Sequence, residues 1–293
     1  MNPKNNQYNA IFKSWNVIYP VFIYFVVTNL AMTLFAMFAS FLGADYQEQY
    51  MALQTASVAV TIPFIARYYD KDRKEPTVFQ QHMQIELGKK TGTQKVWNGI
   101  LALVTGAVAG TALNNILAFT TLEEISQGYQ EVTGYFFAGG IFFELLGACL
   151  LTPFLEELLY RGVVYGRLCD LMILDNEEKT EDGKKREKKS RMAAMVLSAL
   201  LFGVLHMNLV QFIYAGVLGI LLAWLVEKSG HQYGAVLAHI GANFISVLRM
   251  ETNWFGWMDK DQTVFVGATA VLAVVSVILI IVIQRYNSTK KAK

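Results

Sequence analysis

Cysteine, histidine, proline and charge are all scarce in this chain, and each shortage removes a class of protein. The two cysteines, Cys149 and Cys169, are 20 residues apart on what reads as one helix. At ~1.5 Å per residue they are too distant to bridge, so neither a disulfide framework nor a Cys-based zinc motif is expected. The four histidines include no His-Glu-x-x-His pair of the kind zinc peptidases often use. Charged residues make up only 16% of the 293 positions. There is no Gly-rich phosphate loop, no internal repeat, no low-complexity tract and no basic patch suited to nucleic acid.

Apolar sequence fills the space. Residues of the apolar classes account for 54% of the chain, in long runs from end to end. That composition predicts an all-α, polytopic integral membrane protein. We read residues 1–293 as a single transmembrane domain with eight spans, at 15–42, 51–66, 97–120, 135–168, 192–208, 209–226, 233–248 and 263–283. The first run is too long for a signal-peptide core of ~7–15 residues and reads as an uncleaved span. The links are expected to be an acidic turn at 45–50, a polar loop with an interfacial helix at 67–95, an acidic segment at 121–134 and a charged loop at 175–191. Gly106 and Gly110, with Ala107 and Ala109, suit close helix packing in the third span.

Eight spans put both termini on one side. The segments on that side hold 22 of the 25 Lys and Arg residues, against Arg249 and Lys260 opposite and Arg161 within a helix. The positive-inside rule then predicts cytoplasmic termini. The run Lys184-Lys185-Arg186-Glu187-Lys188-Lys189 reads as an anchor beside anionic lipid.

Against this background a few polar residues stand out. Glu156, Glu157 and Arg161 lie inside the fourth apolar run, in Leu151-Thr-Pro-Phe-Leu-Glu-Glu-Leu-Leu-Tyr-Arg161. An ionisable group at mid-membrane costs at least ~2.5–3.5 kcal/mol, so such groups face protein or a water pocket. Glu157 and Arg161 are four residues apart and pair on a helix, while Glu156 points elsewhere. Pro153 predicts a kink just before them, because it removes a donor and clashes with the Cys149 carbonyl. Phe202-x-x-x-His206 lies in the fifth span, and His239-x-x-x-Asn243 puts an imidazole and an amide on one face of the seventh. Counted from the nearest cytoplasmic charges, Glu156, His206, His239 and Asn243 all fall roughly 16–23 Å deep at ~1.5 Å per residue. A carboxylate, two imidazoles and an amide in one layer must surround a wet cavity. That set suits amide hydrolysis: a carboxylate to take a proton from water, an imidazole to hold that water or a metal, and donors for the oxyanion.

These three motifs, in this order and unsubstituted, resemble the CAAX-protease and bacteriocin-processing family of intramembrane endopeptidases, which includes the type II CAAX prenyl endopeptidases and the bacterial "abortive infection" proteins. The resemblance covers about 135–248, with a catalytic core on spans four to seven. It implies that Glu156 is the general base and that His206 helps to hold the water. His239 and Asn243 would form the oxyanion site, with Glu157, Arg161 and Phe202 in support. No cofactor is favoured; a zinc ion, were one used, would take Glu156, His206 and His239. The implied partners are the bilayer and a membrane-associated peptide or protein, with no nucleic acid. The implied setting is a bacterial plasma membrane, where leader peptides or membrane-tethered regulators are the natural substrates. Two readings of other kinds compete: a non-catalytic scaffold such as an immunity or sorting factor, and a proton-coupled transporter. The second is weakened by the absence of an internal repeat.

Overall fold

The computed structural model describes residues 3–75, 91–172 and 181–288. All regular structure among them is helical. In chain order the helices are α1 (Pro3–Phe41), α2 (Tyr46–Lys74), α3 (Gly92–Ala118), α4 (Gln127–Phe136), α5 (Ile141–Met172), α6 (Glu181–Val204), α7 (Leu209–Ser229), α8 (Tyr233–Glu251) and α9 (Gln262–Ser288), with short turns at Leu122–Ile125 and Met258–Lys260.

Helices long and apolar enough to cross a membrane number four: residues 11–41 of α1, then α3, α7 and α9. The bent pair α4–α5 makes a fifth if taken as one span. Length and composition therefore support a multispanning membrane protein with four to five spans, short of the eight expected. The shortfall has a physical source. α2, α6 and α8 carry the polar cargo: Thr55, Ser57, Thr61 and Asp72 are buried on α2, Ser198 on α6 and His239 on α8. A helix shielded by its neighbours need not be apolar all round, so a hydropathy test passes over it. The outer helices show the opposite pattern. Leu34, Met37 and Phe38 on α1, and Val274, Val277 and Ile278 on α9, are exposed apolar side chains suited to lipid.

Several boundaries differ from the sequence expectation. The fourth span does not begin at 135. α4 ends at Phe136, Gly140 takes a left-handed φ of 87°, and α5 starts at Ile141, bent by 105° from α4. The expected loop at 175–191 is helical from Glu181 onward. Lys, Glu and Arg are good helix formers, and Arg191 ties this turn down through Glu187 at 3.2 Å and Glu227 at 2.6 Å. The fifth span stops at Val204, not Asn208. His206 lies in the turn beyond it, Met207 has φ 60°, and Asn208 caps α7 by accepting from the Gln211 amide. The polar stretch after the second span stays helical to Lys74; the interfacial helix expected farther along falls on 76–90, outside the described residues.

The helices are held in register at two levels. At the charged end, Arg167 grips both Asp72 oxygens at 2.8 Å and the Asn16 carbonyl at 2.6 Å, joining α5 to α2 and α1. In the interior, α8 crosses α3 with almost no side chain between them. A Cβ on Gly106 would lie 1.8 Å from the Ala238 carbonyl oxygen, and one on Gly241 would lie 2.2 Å from that of Leu103. These glycines allow backbone contact that any larger residue would push apart. Both cysteines are buried and free.

Candidate active site

Pro153 shapes the site before any catalytic residue does. Residues Glu144–Leu151 wind as a π-helix, and the Thr152 amide reaches back five residues to the Gly147 carbonyl. In that register the next carbonyl, of Ala148, would receive the Pro153 amide, which proline does not have. Asn243 on α8 fills the gap, its Nδ2 donating to Ala148 O at 2.8 Å. The expected kink is thus a π-turn, and it binds α5 to α8 at the level of the site. A second π segment, Tyr160–Val164, follows one turn later and rotates Arg161. π-turns of this kind commonly re-aim side chains at functional sites.

The two adjacent glutamates face different surroundings. Glu157 is fully buried, and its Oε1 accepts from Arg161 at 2.8 Å and from His239 Nδ1 at 3.0 Å. Arg161 also donates to the Gly219 carbonyl at 3.0 Å, and its guanidinium lies 4.7 Å above the Phe202 ring. Held against Arg161, Glu157 is an ionised carboxylate and only accepts hydrogen bonds, so His239 must carry its proton on Nδ1. Nε2 of a neutral His239 is then an acceptor. It lies 3.8 Å from Glu156 Oε2, too far for a direct bond and the right scale for a shared water.

Glu156 is 8% exposed where Glu157 is 0%, so it is the carboxylate with access. Its other oxygen, Oε1, accepts from the Tyr24 hydroxyl at 3.4 Å. His206 donates Nδ1–H to the Phe202 carbonyl at 3.1 Å, which leaves its Nε2 as an acceptor, and it sits within electrostatic reach of Glu156. The Phe202 ring is a wedge between the two imidazoles, edge-on to His206 at 5.1 Å and to His239 at 5.6 Å. Glu156, Glu157, Arg161, Phe202, His206 and His239 thus form one cluster drawn from α5, α6 and α8, with Asn243 one turn away on α8.

Both imidazoles present Nε2 with Nδ1–H held by an acceptor, as metal ligands do. Even so, among the described residues no three His, Cys, Asp or Glu side chains are grouped closely enough to hold a metal ion, Glu156, His206 and His239 included. The arrangement does not fit a metal site.

Residues 138–245 match the family model of Rce1-like type II CAAX prenyl endopeptidases. The Rce1-like segment holds all seven residues singled out from the sequence, and its limits fall within three residues of the expected 135–248. No curated protein and no solved structure matches the chain. The family is one of proteases, so the match carries the intramembrane peptidase reading at family level.

Sequence reasoning missed three contributors. The Gly219 carbonyl carries no side-chain signal at all. Tyr24, on α1 and outside the Rce1-like segment, is one of fourteen tyrosines, and nothing in its spacing marks it out. Glu144 is fully buried on the first π segment, with neither carboxylate oxygen bonded among the described residues. It was legible as an acid inside an apolar run and was passed over because it belongs to no motif.

Proposed function

We propose that this protein is an intramembrane endopeptidase that hydrolyses a peptide bond of a membrane-associated substrate with water activated by Glu156. The observation that carries the proposal is the 3.8 Å gap between Glu156 Oε2 and His239 Nε2, inside the segment that matches a protease family. A water held there donates one proton to the carboxylate and one to the imidazole, which leaves its lone pairs for a carbonyl carbon. As the new C–O bond forms, the water's O–H breaks and Glu156 takes the proton. Glu156 then delivers it to the leaving amine as the C–N bond breaks.

The contacts redistribute two roles that the resemblance implied. With Nδ1–H committed to Glu157, His239 becomes an oxyanion donor only after it takes a proton, so it shares the water with Glu156. The remaining N–H of Asn243 is the neutral oxyanion donor, since its first is spent on Ala148. His206 offers its free Nε2 to the same water or to the substrate. No step runs through a metal. Turnover should therefore survive thorough chelation, and purified protein should carry clearly less than one zinc per chain. Chelator-abolished activity restored by zinc would overturn the metal-free mechanism and leave the peptidase standing.

The proposed setting is a bacterial plasma membrane crossed eight times, with both termini cytoplasmic. The single-Cys variants Lys188→Cys and Gln127→Cys test the orientation, since both positions are exposed and the native cysteines are buried. An impermeant thiol reagent added to intact cells should label position 127 and spare position 188. The reverse pattern would invert the topology. The peptidase proposal itself is tested with purified protein in lipid nanodiscs and a quenched fluorogenic peptide ending in a prenylated CAAX sequence. Membrane peptides that accumulate in cells lacking the protein supply further substrates. Absence of cleavage across both sets would sink the enzyme reading and favour a non-catalytic scaffold.

A further inference from the structure

The hydroxyl of Tyr24 touches the carboxylate assigned as the base, and it comes from a helix that the matched segment does not include. We infer that Tyr24 is a positioning residue for Glu156: by donating to Oε1 it fixes the carboxylate rotamer and leaves Oε2 as the basic oxygen facing His239. The inference rests on the peptidase reading above and adds a residue to it.

The placement of Tyr24 follows from the way α1 is pinned. Arg167 donates to the Asn16 carbonyl and lies over the Tyr19 ring at 5.4 Å, which sets α1 antiparallel to α5. From that clamp, Tyr24 lies eight residues along α1 and Glu156 eleven residues back along α5. At ~1.5 Å per residue these are about 12 and 16 Å, a difference a tyrosine side chain spans. One turn beyond Tyr24, the Thr28 and Thr61 hydroxyls bond at 3.0 Å and hold α1 to α2. With a clamp on either side, the phenol has little freedom to leave the site. The two oxygens of Glu156 are thereby made unequal, one facing a donor on α1 and the other facing His239 on α8. A hydrogen bond to the charged form also favours ionised Glu156 against the cost of its burial.

Tyr24→Phe removes one oxygen and keeps the ring in the core. In the fluorogenic assay kcat should fall about tenfold with KM little changed, on the scale of a hydrogen bond to a charged group. Loss of the donor makes Glu156 easier to protonate, so the acid limb of the kcat profile should move to higher pH. Packing alone would move neither the limb nor the kcat-to-KM split. A second readout needs no turnover: the carboxyl C=O infrared band that distinguishes wild type from Glu156→Gln should appear at higher pH in Tyr24→Phe. An unchanged acid limb, or an infrared band that titrates as in wild type, overturns the positioning role. Should no substrate be cleaved, the peptidase reading fails while the infrared titration still decides whether Tyr24 governs Glu156.

Discussion

Glu156→Gln should lower turnover by about 10²-fold or more while the protein still folds and binds substrate. The substitution keeps the shape and removes the one property a general base needs, a lone pair basic enough to hold a proton. Folding should survive because Glu156 has little to lose. Its nearest partners are the Tyr24 hydroxyl at 3.4 Å and His239 at 3.8 Å, and an amide oxygen still accepts from Tyr24. The expected signature is therefore a kcat collapse with KM and thermal midpoint close to wild type. A Glu156→Gln protein that still turns over at more than about a tenth of the wild-type rate would remove Glu156 from the chemistry. The family match would remain, and His206 or the unpaired Glu144 would become the next candidates.

Much of this site was legible because membrane sequence makes polar residues conspicuous. Glu156, Glu157, Arg161, His206, His239 and Asn243 each interrupt an apolar run, and counting residues from the charged helix ends brought them to one depth. The pairing of Glu157 with Arg161 followed from their spacing alone. What could not be read was anything that depends on the backbone's exact path. Pro153 foretold a disturbance, but only the π register identifies Ala148 as the orphaned carbonyl and so explains why Asn243 donates there. His206 reads as mid-helix in sequence because Phe202 to Met207 is uninterrupted by Gly-Pro signals other than Gly203. The helix nevertheless ends at Val204, where Met207 turns left-handed and Asn208 starts the next cap. Tyr24 needed tertiary structure, since its partner is 132 residues away.

Glu157→Gln should behave in the opposite way to its neighbour and damage the fold first. The side chain is fully buried and binds Arg161 and His239 through one oxygen. Neutralising it leaves a buried guanidinium with only the Gly219 carbonyl, the face of Phe202 and an unbonded Nε. Breaking a buried ion pair from one side costs about 3–5 kcal/mol, because the remaining charge is uncompensated. For a protein of this size that should lower the thermal midpoint by roughly 10 °C, on the usual scaling of stability with midpoint. Activity should fall as well, since His239 loses the acceptor that holds its proton on Nδ1. Removing the stranded charge offers the control. Glu157→Gln combined with Arg161→Met should recover part of the thermal loss without restoring turnover, because the imidazole stays unanchored. Equal and mild losses for Glu156→Gln and Glu157→Gln would mean that the two carboxylates do not divide the work between chemistry and support.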